Sequence, residues 1–183
     1  AGADGPAFET IVAAGAHASR PHYRPDDTRI ARDQAVLVDW GARLGGYCSD
    51  LTRVVFVGRI PPKLGEIYEV ALRAQAAGLA ALRGGARGGE VDGAARKVID
   101  EAGYGRQFVH GLGHGIGREI HELPVLARSA RQRLARGTVV TVEPGIYLPG
   151  VGGVRIEDDV LVGSRSSRRL STLPREVEAM RLR

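Results

Sequence analysis

The stretch VDWGARLGGYCSD, residues 38–50, places two aspartates, Asp39 and Asp50, on either side of a Gly-Gly pair. Residues 36–39 and 47–57 are dominated by β-branched and apolar side chains, which predicts two strands. Gly-Gly between such runs signals a hairpin. A two-residue turn centred on Leu44 and Gly45 puts Asp39 directly opposite Asp50. Directly opposed side chains have Cβ atoms about 4.5–5.5 Å apart, where like charges are destabilising. Either the turn is centred elsewhere or a cation sits between the two carboxylates.

Outward from this hairpin, residues 8–15 (FETIVAAG) read as a strand ending in a turn, followed by a polar loop with Pro21, Pro25, Asp26 and Asp27. Pro61-Pro62 closes the hairpin unit. Apolar residues at helical spacing over 64–82 predict a helix that Gly84-Gly85 stops, and 91–102 predicts a shorter one ending at Gly103. A glycine-rich segment (109–117) follows, then a strand at 138–143, a turn at 149–153 and a strand at 154–162. The tail LSTLPREVEAMRLR reads as a strand end and a short helix. A reflection about Gly150 pairs Glu143 with Glu157, so the chain carries two hairpins, each with a facing carboxylate pair. Two helices precede the second hairpin and none precedes the first.

The 183 residues suit one domain, and a hydrophobic content of 43% suffices for a sizeable core. No apolar run approaches the length of a membrane span, and AGADGPAFET lacks the regions of a signal peptide. Cys48 is the sole cysteine, which excludes an internal disulfide framework, fits a reducing cytosol and reads as a small strand residue. The net charge of +5 raises the question of nucleic acid. Its local clusters, Arg128 to Arg136 and Arg165 to Arg169, are not interleaved with aromatics and accompany no nucleic-acid motif. Solvated faces explain them better, so neither a nucleic acid nor a membrane is expected as partner.

Singly, each acidic residue has a plain alternative: Asp39 ends a strand, Asp50 caps a turn, Glu157 belongs to a solvated patch. His114 alone reads equally well as a buried, hydrogen-bonded histidine. Around it, however, Gly111, Gly113, Gly115 and Gly117 alternate, which makes sense where the chain closely approaches a ligand or another strand. Taken together, Asp39, Asp50, Glu143 and Glu157 supply four negative charges that two divalent cations balance, with neutral His114 completing the shell. Oxygen-dominated ligation with one imidazole suits Mn²⁺, Co²⁺, Fe²⁺ or Zn²⁺ and argues against a thiolate-type structural zinc. Paired metals about 3.5–4 Å apart serve hydrolysis.

With VDWGARLGGYCSDLTR, HGLGHGIGREIHELP, TVEPGIY and GVRIEDD in this order and spacing, the chain resembles the catalytic domain of the pita-bread metallopeptidases. These include methionine aminopeptidase, Xaa-Pro aminopeptidase and Xaa-Pro dipeptidase (prolidase). The resemblance runs from about Phe8 to Pro174 and implies an α+β fold, a curved antiparallel sheet with helices on its outer face and pseudo-twofold halves. It implies that Asp39 binds one metal, that His114 and Glu143 bind the other, and that Asp50 and Glu157 bridge both. Mn²⁺ is the first expectation. Glu143 would shuttle the proton of a hydroxide that attacks the peptide carbonyl. His22 and His121 resemble histidines that orient substrate and stabilise the developing oxyanion, while His110 and Arg155 resemble residues lining the site near a proline pocket. Tyr47 and Tyr147 read as packing residues, and His17 as a surface loop residue.

Within the family, SDLTR and RIEDD resemble the Xaa-Pro branch rather than methionine aminopeptidase. GHGIGREIHELP leans towards the dipeptidase, with an Xaa-Pro aminopeptidase acting on longer peptides, or a non-catalytic peptide-binding module, as alternatives. Residues 1–183 are therefore expected to form one metallopeptidase catalytic domain without the N-terminal helices of its first half. A sheet face beside the first hairpin would then lack helical cover. The expected full-length enzyme is a cytoplasmic homodimer or higher oligomer acting on proline-containing peptides, and the activity of this chain alone stays open.

Overall fold

The computed structural model describes residues 2–182, which form fourteen short strands and two α-helices. In chain order the strands are β1 (Gly5–Pro6), β2 (Ile11–Ala14), β3 (Gln34–Trp40), β4 (Ala42–Leu44), β5 (Tyr47–Cys48), β6 (Leu51–Val57), β7 (Gly113–Gly115), β8 (Glu122–Leu126), β9 (Val139–Val142), β10 (Gly145–Leu148), β11 (Gly152–Arg155), β12 (Asp158–Val162), β13 (Ser167–Arg169) and β14 (Arg181–Leu182). The helices α1 (Pro62–Ala81) and α2 (Gly88–Glu101) lie between β6 and β7.

The first hairpin turns on Gly45 and Gly46, whose φ angles are 58° and 80°. Positive φ at both central residues is the primed turn that matches strand twist, and glycine adopts it without Cβ strain. Leu44 therefore faces Tyr47 and Arg43 faces Cys48, and further down the stem Asp39 faces Thr52. The turn is thus centred one residue later than Leu44-Gly45, and Asp39 is not directly opposed to Asp50. The shifted turn by itself removes the direct opposition of the two carboxylates. The ladder also breaks at Gly41, where a Cβ would overlap the Ser49 carbonyl. Asp50 lies in that break, free of strand pairing.

The second hairpin follows the reflection about Gly150. Gly145 faces Arg155 and Leu148 faces Gly152, and below them Val142 faces Asp158 and Val140 faces Val160. The stem is interrupted between these ladders because Pro144 has no N–H to donate. Glu143 and Glu157 flank that interruption. Both hairpins therefore loosen their hydrogen bonding where carboxylates gather.

Strands order as β14-β6-β3-β2 and as β13-β12-β9-β7-β8, with β10-β11 and β1-β4-β5 as smaller sheets. The two main sheets meet where the Glu157 amide donates to the Thr52 carbonyl (3.2 Å). Ala35, Leu37, Val54 and Phe56 from the first sheet join Val140, Val142, Val160 and Val162 from the second in one core. On the other face of the first sheet, Val38, Trp40, Leu51 and Val55 are only half-buried.

Helix α1 buries Leu64, Ile67, Val70, Ala71 and Ala74 at helical spacing, and Pro at its first position suits the missing amide partner there. Helix α2 starts three residues before the expected boundary, because the Glu90 side chain accepts the Arg87 amide (3.0 Å) and holds the glycine-rich first turn. Gly103, at φ 84°, follows its end as expected. The expected C-terminal helix is a single 3₁₀ turn, Val177–Met180, followed by β14 parallel to β6. Strand β8 has no counterpart in the sequence reading, because Pro124 interrupts its apolar pattern.

Candidate metal centre

Each acidic candidate is delivered by a different strand end: Asp39 by β3, Asp50 from the break before β6, Glu143 from the bend after β9, and Glu157 from the bend before β12. His114 is the middle residue of β7. The alternating glycines around it serve strand packing. A Cβ on Gly113 would overlap the Thr141 carbonyl of β9, and one on Gly115 would lie 2.5 Å from the Leu123 carbonyl. Close approach to another strand is observed for Gly113 and Gly115, and Gly111 and Gly113 also line the cavity of the site.

All nine candidate residues, namely Asp39, Asp50, His114, Glu143, Glu157, His22, His110, His121 and Arg155, line one cavity of ≈ 290 Å³. His114 Nε2 lies 3.4 Å from Glu143 Oε1 and 3.7 Å from Asp50 Oδ2. One ligand atom each from Asp50, His114 and Glu157 falls within 4.8 Å of the others, close enough to share an ion. The imidazole is already set for ligation. Its Nδ1 lies 3.0 Å from the Gly115 carbonyl, which can only accept, so Nδ1 carries the proton and Nε2 presents its lone pair to the carboxylates.

The carboxylates are held on one side and bare on the other. Asp39 Oδ2 accepts Arg155 Nη2 (2.6 Å), Glu157 Oε2 accepts Thr52 Oγ1 (2.5 Å), and Glu143 Oε1 accepts Thr141 Oγ1 (3.0 Å). Asp39 Oδ1, Asp50 Oδ1 and Glu157 Oε1 are buried without a hydrogen-bond partner among the described residues. A buried, unpaired carboxylate oxygen is costly and invites a cation or a proton. Burial and the neighbouring carboxylates push Asp50 up to about 9. Burial pushes Glu143 up to about 7 and raises Glu157 well above the carboxylate range, the latter reinforced by Glu143 and Asp50. Burial lowers His114 to about 4, keeping it neutral. The donor set therefore fits divalent cations: carboxylate oxygens crowded around a neutral imidazole, three of them buried and unpaired.

His110 and Arg155 line the cavity but are committed inward. His110 Nδ1 donates to the Gly111 carbonyl (2.7 Å), so Nε2 is an acceptor and the Tyr147 hydroxyl donates to it (2.8 Å). Burial lowers its pKa to about 4, in keeping with a neutral ring. Arg155 donates to Thr52 Oγ1 (3.1 Å), the Tyr147 hydroxyl (2.9 Å), the Pro21 carbonyl (3.3 Å) and Asp39. By contrast His22 and His121 are exposed at the lip, and the His121 ring packs edge-on at 4.3 Å from His114.

Three residues of the site escape the sequence reading as participants. Tyr147, read as packing, is the hydroxyl that joins His110 to Arg155. Thr52 joins Arg155 to Glu157, and Thr141 joins Glu143 to the His114 amide. Tyr147 stands in the TVEPGIY motif and Thr52 in SDLTR, so their positions are visible in the chain while their hydrogen bonds are not. His17 is not a free surface residue: its ring is half-buried and lies 4.6 Å from that of Tyr23.

A model of metallopeptidase family M24 matches residues 1–164. The chain belongs to that family. The Xaa-Pro dipeptidase of Pyrococcus furiosus is 46% identical over 176 residues, covering 96% of this chain and 51% of the relative. The uncharacterized peptidase YqhT of Bacillus subtilis is also 46% identical, covering 96% and 50%. Among solved structures, the prolidase from Pyrococcus furiosus superposes with a TM-score of 0.93 at 45% identity, over 94% of this chain and 51% of that one. The X-Pro aminopeptidase from Thermotoga maritima gives 0.94 at 42% identity, over 96% and 49%. The M24 chain thus has the pita-bread fold of these peptidases, mixed α+β with antiparallel sheets, and spans about half the length of the relatives it matches.

Proposed function

We propose that the protein carrying this chain is a dinuclear, metal-dependent exopeptidase that hydrolyses the Xaa-Pro bond, an Xaa-Pro dipeptidase, with residues 1–183 as its catalytic domain. The observation that carries this reading is the convergence of Asp39, Asp50, Glu143, Glu157 and His114 with three buried carboxylate oxygens unpaired. Membership of the M24 family and the activities that the relatives are named for support it. Asp50 and Glu157 would bridge two ions, Asp39 would hold one, and His114 with Glu143 the other. Mn²⁺ is the first candidate, followed by Co²⁺, Zn²⁺ or Fe²⁺. When bound, such ions would supply an activated water and polarise the scissile carbonyl.

Around that centre the chain's own residues divide the work. Glu143 Oε1, held by Thr141 and 3.4 Å from His114 Nε2, would accept and return a proton. His121 and His22, exposed at the lip, can meet the substrate carbonyl or the departing nitrogen. His110 and Arg155 have their donors engaged within the protein, so their contribution is to hold Tyr147 and Asp39 in place. Phe8, Ile11 and Ile120 supply an apolar wall that a proline ring can contact. A cytosolic, homo-oligomeric enzyme is part of the same proposal, the first point supported by the lone Cys48.

The likeness to an X-Pro aminopeptidase at a TM-score of 0.94 favours one alternative, cleavage of longer peptides. The deciding experiment assays Xaa-Pro and Xaa-Pro-Yaa with full-length protein and added Mn²⁺. Hydrolysis of Xaa-Pro with rejection of Xaa-Pro-Yaa is expected, and the reverse selects the aminopeptidase. Rapid release of methionine from Met-Ala peptides with Xaa-Pro substrates untouched would overturn both.

A further inference from the structure

Helix α2 carries a buried ion pair that no step of the proposed reaction uses. Arg96 and Asp92 form a planar fork: Nε to Oδ2 at 2.8 Å and Nη2 to Oδ1 at 2.8 Å, with side chains 8% and 0% exposed. A buried pair is weak evidence for stability, because desolvation offsets much of the attraction. What its remaining hydrogen bonds reach is more informative. Arg96 also donates to the Phe108 carbonyl (3.1 Å) and the His110 carbonyl (2.8 Å), and stacks over the Phe108 ring at 4.0 Å. Asp92 Oδ1 accepts the Leu112 amide (3.1 Å). One pair thus fixes residues 108, 110 and 112 of a segment that lies outside any helix or strand.

Two routes lead from this segment into the metal centre. Leu112 passes the constraint on directly, since its carbonyl accepts the Glu143 amide at 2.8 Å. His110 passes it on through Tyr147 and Arg155 to Asp39. We propose that Asp92 and Arg96 are positioning residues that set both flanks of the centre at once, Glu143 in the second hairpin and Asp39 in the first. The activity part of this inference rests on the proposed Xaa-Pro hydrolysis; the structural part does not. Lysine in place of Arg96 would keep the charge but lose the planar fork, and so release at least one of the three backbone contacts. A misplacement of about 1 Å at a reacting group costs on the order of 10²-fold in rate.

The test compares full-length wild type with Arg96→Lys. In the metal-free protein, ¹⁵N NMR of the His110 ring, assigned with His110→Gln, reads its tautomer. The wild type should show a locked Nδ1–H form and Arg96→Lys an averaged pair of tautomers. In the Mn²⁺-loaded protein, kcat on an Xaa-Pro substrate should fall roughly 10²-fold, with metal content and far-UV CD unchanged. An unaltered His110 signature overturns the proposal whatever the activity does. An altered signature with unchanged kcat also overturns it, because the pair would then hold the loop without setting the reaction. Should Arg96→Lys not fold, Asp92→Asn, which keeps the shape and removes the charge, is read by the same criteria. If wild type cleaves no Xaa-Pro substrate, the functional reading fails while the tautomer measurement still decides whether the pair places His110.

Discussion

Thr52 has one hydroxyl and two duties, donating to Glu157 and accepting from Arg155. Replacing it with valine keeps the shape but leaves a buried guanidinium donor and a second carboxylate oxygen unpaired. An unsatisfied buried group costs about 1–3 kcal/mol, so Thr52→Val should lower the unfolding free energy of the metal-free protein by that amount, as read by urea titration. The proposed ligands should separate by their duties. Asp50→Ala or Glu157→Ala should cost both metals, since a carboxylate shared by two cations also screens their mutual repulsion, whereas Asp39→Ala should first weaken one. Elemental analysis reads this directly, and full dinuclear occupancy in Asp50→Ala would contradict the bridging role. His121→Ala should leave metal content intact while lowering kcat about 10²–10³-fold, the usual cost of one lost donor to a developing oxyanion.

At the scale of elements, Gly113 of β7 and Gly93 of α2 should respond in opposite directions. Gly113 has the Thr141 carbonyl where a Cβ would stand, so Gly113→Ala must push β7 away from β9 and carry His114 with it. Overpacking of this kind costs about 1–3 kcal/mol, and metal affinity should fall alongside. Gly93 is exposed on α2, and nothing lies within 4 Å of the place a Cβ would take. Alanine there should raise stability by about 0.8–1 kcal/mol, the helix-propensity difference. Thermal melts of the two variants settle both signs. The same elements show how much is legible in the chain. Helix α1 is readable almost to the residue, because Leu64, Ile67, Val70, Ala71 and Ala74 repeat at its period. The start of α2 is not, because the glycines of its first turn argue against a helix, and the Glu90 contact with Arg87 together with the Gln132 and Ala130 carbonyls that accept the Gly88 and Gly89 amides overrides them. Among the site residues, the ligand types and their order are readable, while the engagement of His110 with Tyr147 is not.

For the molecule as a whole, the buried carboxylate cluster ties stability to pH. Asp50, at about 9, and Glu157 hold protons in the folded metal-free protein that they release in the unfolded chain near pH 4. The folded state therefore binds more protons, and the stability this contributes, present below the unfolded pKa, is lost as pH rises through the folded values. His110 and His114, lowered to about 4, act with the opposite sign, but only between about 4 and 6.5. Above pH 7 they are neutral in both states. The melting temperature of the metal-free protein should thus fall between pH 7 and 9. Mn²⁺ should restore it, with a larger gain at pH 9 than at pH 7 and with protons released on binding at pH 7. A flat melting temperature from pH 7 to 9, read by calorimetry, would show that these carboxylates are not protonated in the absence of metal.

By itself the sequence determined the two hairpins, the two helices between them and the grouping of Asp39, Asp50, Glu143 and Glu157 with His114. Each of these rests on local signals, such as helical periodicity, Gly-Gly and Pro-Gly turns, and the order of acidic residues along the strands. Only the tertiary structure decided the register of the first hairpin, because Leu44-Gly45 and Gly45-Gly46 are both acceptable turn centres until the backbone chooses positive φ at the two glycines. It also decided which polar groups are spent on one another. Thr52 meets Glu157 across 105 residues of chain and Asp39 meets Arg155 across 116. No local pattern encodes such a pairing, since it exists only once the two halves have folded against each other.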